Sequence, residues 1–525
     1  MRRLPCCLPL AGLIATAVAA APARLERGNG PEPSTLDAHR CQEIACSNIL
    51  RDLYTGLVSE AADGRLEPGL AESWAVSADG LEWRFTLREG LRWSNSEPLD
   101  AAQIVASFHR AFAPATAAPM AGLLAAIDHA QAVQTGTLPP SALGIDAPDP
   151  RTVVFRLSRP APLPALLVLP IAFPLYLPAL EQYGTRHTRP GRLVGTGAYQ
   201  LVDWVPQAHV TLRANPHALE PPAIDTVRFH VTEDAASELK RFAAGDLHIT
   251  ETLPPVRLEQ LRERFGPALR IAPYLGTFWF GLNLERPPLR DSAALREALN
   301  LALDRERLTR YITGLGEAPA YAIVPPALPG YPAPRPDWAD WPRERREALA
   351  RERYAAAGYG AERPLRLELR FNTSVPHRRL ALAVAAMWRE VLGVTTVLRN
   401  EEWKVFVVNR RQRVITQVFR GGWIADVADP ADFLAAFASD GALNWSGYRD
   451  AEFSRLFDAA QRMSDPASRA ALLAHAEQRL LDAHAVLPIY HYASRHLVDP
   501  RLEGWVDNPL DRHPSRHLRW RRATP

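Results

Sequence analysis

The 525-residue chain reads as an α/β protein built around more than one hydrophobic core. Strand-like alternation fills its first half, apolar stripes at helical spacing recur in its second, and its length exceeds what one core organises.

The strand evidence comes first along the chain. Trp83, Phe85 and Leu87 share one face of an alternating run, as do Val153, Phe155 and Leu157. Val210 with Leu212, and Val227, Phe229 and Val231, repeat the pattern. Between them Asp100 is placed to cap a helix from Ala101, with Ile104, Val105 and Phe108 turned inward. Later, Leu365, Leu367, Leu369 and Phe371 alternate as a strand, followed by Leu380, Val384, Met387 and Val391 on one helical stripe, with Ser374 and Pro376 as start signals. Phe453, Leu456, Phe457 and Ala460 form a second stripe, and Leu472, Leu473, Ala476 and Leu480 a third. Strands interleaved with helices, rather than segregated from them, give the α/β class.

The first 23 residues carry the pattern of a secretory signal peptide. Arg2 and Arg3 precede an uncharged apolar stretch, Leu8 to Ala21, which runs into small residues offering several cleavage positions. Cys6 and Cys7 lie before the apolar stretch, not just after it, so the expected product is exported and not lipid-anchored. Residues 160–180 are also uncharged but hold Pro160, Pro162, Pro164, Pro170, Pro174 and Pro178. Interior prolines each cost a helix about 3 kcal/mol, so extended buried loop is expected there instead of a membrane span.

Composition excludes several classes. The formal net charge of +3, or +1 without Arg2 and Arg3, leaves no electrostatic footprint for nucleic acid. Lysine occurs only at Lys240 and Lys404, so arginine is the background cation. Neither a His-Glu-x-x-His zinc motif, a Gly-x-Ser-x-Gly elbow nor a phosphate-binding loop is present, so no catalytic residue, metal or cofactor is expected. The mature chain would keep Cys41 and Cys46, whose spacing fits a local disulfide in an oxidising compartment and equally fits two free thiols.

Longer motifs are more specific. Leu70-Ala-Glu-Ser-Trp74, Asp79-Gly80, Phe85-x-Leu-Arg88-x-Gly90 and Trp93-Ser94 lead to Pro98 and a helix through Ser107. Gly195-Thr-Gly-Ala-Tyr199, the run Arg296 to Arg305, and Leu487-Pro-Ile-Tyr490 follow in order. Together they resemble the peptide/nickel-type solute-binding proteins of ABC importers across essentially the whole mature chain. Arg420-Gly-Gly-Trp423-Ile-Ala-Asp426-Val-Ala-Asp429-Pro430, with Asn372-Thr-Ser374 and Glu402-Trp403-Lys404, is similar to the oligopeptide-binding branch. That resemblance implies a two-lobed periplasmic binding protein that closes over short peptides by hinge motion, acts as a monomer, and delivers its ligand to a membrane permease. It also implies the boundaries: residues 24–54, 177–279 and 495–525 in the first lobe, 55–176 in an extra domain packed on it, and 280–494 in the second lobe.

The same resemblance assigns site residues. A peptide's buried α-ammonium needs an anion, and Asp426 matches the aspartate that supplies it; the competing use of Asp426 is as a cap ahead of Pro430. Arg420, Arg411 and His377 match positive groups for the carboxylate end. Gly422 and Trp423 offer backbone pairing by strand addition, and Trp403 a side-chain pocket or a core position. This chain departs from the family where a lysine is missing near Tyr311 to Leu315, where Met120 replaces a tyrosine, and where Ile424 and Gly276 replace cysteines. The rival ligands are murein peptide, dipeptide, a nickel chelate or haem. A secreted hydrolase, or a sensory or chaperone-like binder, is the rival of another class.

Overall fold

Two long strands, Leu269–Leu282 and Val486–Leu497, pair antiparallel down the middle of the computed structural model, which describes residues 24–438, 443–463 and 465–521. The expected signal peptide lies outside the described residues. The strand pair sits in a six-stranded sheet ordered Ala318–Pro319, Val486–Leu497, Leu269–Leu282, Val418–Ile424, Arg366–Asn372, Thr395–Glu401. Alternation along Leu269–Leu282 places Phe278, Phe280 and Leu282 on one face and Trp279 on the other. The first face packs on the helix Val375–Leu392 through Leu380, Val384 and Trp388. The second meets Phe406, Phe419, Phe433, Phe453 and Leu473. With helices on both faces, this sheet forms the core of one lobe.

The other lobe holds a four-stranded sheet ordered Arg24–Gly28, Thr226–His230, His209–Ala214, Tyr199–Val205, whose first pair is parallel. Val210, Leu212, Val227 and Phe229 are buried there, while Val231 falls just past its strand. Bridges from Ile249 to Arg27 and to Val498 tie this sheet to the far end of the long strand pair. An antiparallel sheet of Ala71–Val76, Glu82–Leu87, Thr152–Arg156 and Ile145–Asp149 has its own core. Asp100 caps the helix Ala101–Phe112 with a reciprocal bond to Gln103, and Phe108 packs edge-on against Phe155 at 5.2 Å. The chain is therefore the two-lobed α/β fold that the motifs imply, with this third core beside the first lobe.

The proline-rich stretch differs from its expectation. Residues Leu163–Leu166, Pro170–Ala172 and Leu177–Tyr183 form short helical turns, not extended loop. Their prolines occupy first-turn positions, where the missing N–H has no intrahelical partner to lose. Among the described residues no helix is long and apolar enough to cross a membrane.

Cys41 and Cys46 form a disulfide, with Cα atoms 6.0 Å apart, that closes the turn into the helix Ile44–Leu53. Chain-entropy reasoning gives so small a loop about 2 kcal/mol. Replacing both cysteines by serine is expected to cost about that much in chemical denaturation under oxidising conditions, and to remove the effect of reductant on the midpoint.

Candidate functional site

The geometry of the site starts from a bulge. Just past Pro273 the two long strands lose register: Tyr274, Leu275 and Gly276 stand opposite Tyr492 alone. The bulge turns Tyr274 into a cavity, and the backbone groups of Leu275 face away from Val486–Leu497. Its N–H donates to the Pro509 carbonyl at 2.8 Å, and its carbonyl accepts from the Ala425 N–H at 2.8 Å. One residue thus holds the C-terminal segment and the end of the strand Val418–Ile424 side by side.

That strand has one covered edge and one open edge. Gly276 to Leu282 pair with its whole length on one side. On the other side only Val418 and Phe419 meet the neighbouring strand, at Leu369 and Arg370. Among the described residues no strand pairs with Arg420 to Ile424 there, and the Arg420 carbonyl accepts only from Arg410 Nη1 at 3.4 Å. The two glycines differ in role. A side chain at Gly421 would collide with the Trp279 indole, whereas one at Gly422 would stand in ordinary contact with the Arg420 guanidinium and Tyr492 hydroxyl, each at 3.4 Å. Gly421 is needed for packing; Gly422 keeps the open edge bare.

Asp426 lies just beyond one end of this edge, half-buried on the wall of a cavity of about 510 Å³. The Cys41–Ser47 stretch, Met120, Ile171, Tyr274 and Glu251 share that wall. The alternative use of Asp426 is taken by its neighbour: Asp429 caps the helix Pro430–Leu434 through Ala431 N–H and receives both arms of Arg469, at 2.6 and 3.0 Å. Asp426 itself donates its N–H to Asp432 Oδ2 at 2.7 Å, and its carbonyl accepts from Arg512 Nη2 at 2.5 Å. Burial raises its carboxyl above the usual range, with Arg512 partly opposing. Burial, and then the like charge of Asp426, push Asp432 up to about 7. Two adjoining carboxyls in so little water favour an incoming cation.

The other end of the edge is cationic. Arg420 projects from the strand with its guanidinium 5.4 Å from the Phe278 ring, and no ion pair to a described carboxylate holds it. Arg411 is exposed in the last turn of the helix Trp403–Gln412. Arg410 is buried with its guanidinium 3.4 Å from the Trp445 ring; burial, then the Arg420 and Arg411 charges, pull it down to about 9. His377 sits in the first turn of its helix, 5.6 Å from Phe278, with Nδ1 bonded to Asn372 Oδ1 at 3.0 Å. Burial, then the Arg420 charge, bring His377 down to about 4. With that shift His377 offers this corner a hydrogen-bonding ring beside the Arg420 cation.

Of the remaining residues, Trp423 is half-buried against the second face of the large sheet. Trp403 is 49% exposed at its helix start, so it is no core residue, and it does not reach the cavity by Asp426. Asp432, Arg410, Arg512, Tyr274 and Glu251 were not anticipated. Arg410 adjoins Arg411 and Asp432 follows the aspartate motif closely, but Glu251 and Arg512 come from remote segments that only folding brings to the cavity.

Beside the cavity His496, Asp511 and His513 meet, and His513 stacks on Trp505 at 3.7 Å between ring centroids. His496 bonds the Thr250 carbonyl at 2.9 Å and Asp511 at 2.8 Å, so both its ring nitrogens carry protons and neither keeps a lone pair for a metal. Burial opposes that charge, but Asp511 overrides it and raises His496 to about 9, while Asp511 is held far below the carboxylate range. With the folded value above the unfolded one of about 6.5, the pair's stabilisation is full below that pH and is lost as pH climbs through about 9. Thermal melts should therefore fall between about pH 7 and about pH 10, and His496→Gln should flatten that decline while lowering the melting point at pH 7.

Comparison with known proteins places these features. A model described as bacterial extracellular solute-binding proteins, family 5 Middle, matches residues 65–445. The periplasmic oligopeptide-binding protein OppA of Escherichia coli K12 is 34% identical over 94% of this chain and 92% of its own. Among solved structures, the unliganded open form of the periplasmic murein tripeptide-binding protein MppA superposes with a TM-score of 0.85 at 32% identity, covering 95% of this chain and 98% of that one. Haemophilus influenzae OppA in complex with the peptide RPPGFSPFR gives 0.78 at 30% identity, covering 95% and 99%.

Proposed function

The chain belongs to family 5 of the bacterial extracellular solute-binding proteins, and from its cleft we propose that it captures short peptides outside the cytoplasm and passes them to an ABC permease. One observation carries this reading: a strand edge that no other strand covers, Arg420 to Ile424, runs from an arginine cluster to an adjoining pair of carboxyls. A peptide has the same polarity. Its α-ammonium fits Asp426, its carboxylate fits Arg420 with Arg410 and Arg411 behind it, and its backbone extends the open sheet.

The scale agrees. Four steps of strand from Arg420 to Ile424 at about 3.3 Å each cover roughly 13 Å, and two further residues reach Asp426, so the two ends lie no more than roughly 20 Å apart, the span of an extended peptide of no more than about six residues. Backbone pairing is indifferent to side chains, so such an edge accepts many sequences. Relatives named as periplasmic peptide binders support the compartment and ligand class. Their family supports binding and release instead of catalysis. A monomeric, unanchored protein that hinges shut on its ligand completes the proposal.

Removing the Asp426 carboxylate tests it directly. Asp426→Ala should weaken a free-amino tripeptide by about tenfold or more, the worth of one charge-assisted bond, and leave the already weaker N-acetylated tripeptide within about twofold. Titration calorimetry reads both. Equal losses for the two peptides would remove Asp426 from the role, and no binding of any short peptide by the wild-type protein would sink the reading itself.

A further inference from the structure

We propose that a second cavity, between the third core and the second face of the large sheet, is a binding site for an uncharged aromatic compound. It is separate from the peptide cleft and does not depend on the peptide reading.

Its walls come from different bodies. Trp83 on the strand Glu82–Leu87, with Pro160 and Pro162, supplies one wall; Leu328, Tyr331 and Met463 supply the other. The space between them is about 620 Å³, more than the cavity beside Asp426 and within the roughly 300–1,000 Å³ of sites for small organic ligands. Both walls are held in place. Val427 is buried in the third core, and Ala428, Asp429 and Pro430 after it line the cavity, so the segment that leaves Asp426 pins one body to the other. Tyr331 donates its hydroxyl to Glu477 Oε2 at 2.6 Å, and Glu477 Oε1 accepts from the Ile323 and Val324 N–H groups at 2.6 and 2.8 Å. Those bonds tie the loop that carries Leu328 and Tyr331 to the helix Pro466–Asp482. Proline rings with a fixed backbone angle stiffen the facing wall.

The chemistry of the walls selects the ligand. Among the described residues Asp429 and Arg469 are the charged groups of the lining, and they neutralise each other through two bonds at 2.6 and 3.0 Å. A charged ligand would lose its hydration there and find no free partner, which is costly. The Tyr331 hydroxyl is committed to Glu477, which leaves the Gln461 amide, at the end of the helix Ala451–Gln461, bonded to no described group. One amide cannot give water filling this volume the two to four polar partners that each molecule needs, whereas it can orient one uncharged polar group of a ligand. An indole on one wall, a phenol ring on the other and the proline rings between them offer flat apolar surface, which suits an aromatic ring system.

The probe is N-phenylnaphthylamine, an uncharged aromatic dye with one N–H, and its control is anilinonaphthalene sulfonate, which has the same rings and a negative charge. Fluorescence titration of the mature protein should show one saturable site for the amine, with the sulfonate weaker by about tenfold or more. Val76→Trp combined with Ala467→Trp, exposed positions on opposite walls, should fill the cavity and abolish that site at an unchanged melting temperature. Gln461→Leu, which keeps the volume and removes the amide, should weaken the amine by about fivefold, and it decides the matter should the filled variant not fold. No saturable site, a sulfonate that binds as tightly as the amine, or an amine site indifferent to the filled cavity or to Gln461→Leu would overturn the proposal.

Discussion

The site depends on one break in register. Just past Pro273 a bulge interrupts the pairing of the two longest strands, and there the backbone of Leu275 holds Pro509 through its N–H and Ala425 through its carbonyl. Those two bonds fix where Asp426 stands, just past its strand, and where Asp511 and Arg512 arrive from the C terminus. Tyr274 reaches the cavity by the same bulge. A strand without it would present a regular ladder edge and no wall. Bulges beside binding sites work in this way, turning a repeating surface into one with a direction.

Arg512 then ties the parts together. It donates to Glu60 at 2.6 Å and to the Asp426 carbonyl at 2.5 Å, so one side chain joins the cleft's acidic end to the strand Val58–Glu60. Its charge beside Asp426 eases the burial of that carboxylate without forming a direct pair with it. A committed salt bridge would satisfy Asp426 and leave little for a ligand to gain. Backbone capture by Arg512 positions the carboxylate and keeps its lone pairs available.

Much of the fold was legible because period carries it. Leu365, Leu367, Leu369 and Phe371 are all buried on one strand, and Leu380, Val384, Met387 and Val391 on one helix, as spacing alone indicates. The disulfide was not decided by spacing, since four intervening residues fit several turns. His377 shows another limit: sequence identifies a histidine, but its charge follows from burial and from Arg420, neither visible in one dimension. Residues 160–180 erred in a third way, because proline forbids helix interiors and not first turns. Glu251 and Arg512 escaped because their neighbours are remote in sequence, and no local pattern marks a residue whose surroundings arrive from elsewhere.

The arrangement of charge explains how such a cleft binds without holding on. Many of the arginines that crowd this composition are neutralised locally, as Arg469 is by Asp429 and Arg495 by Glu317. At the two ends of one strand edge like charges gather instead, each end repelling itself: Arg410, Arg411 and Arg420 at one, Asp426 and Asp432 at the other. Like charges kept together in reduced dielectric raise the energy of the empty cleft, and a zwitterionic ligand lowers it at both ends at once. The part of the affinity that comes from relieving repulsion needs no large buried interface. It is also surrendered as soon as the lobes part and water returns to screen each cluster. A carrier that must bind a dilute ligand and then give it up needs that combination, and here the placement of five ionisable side chains at the two ends of one strand edge supplies it.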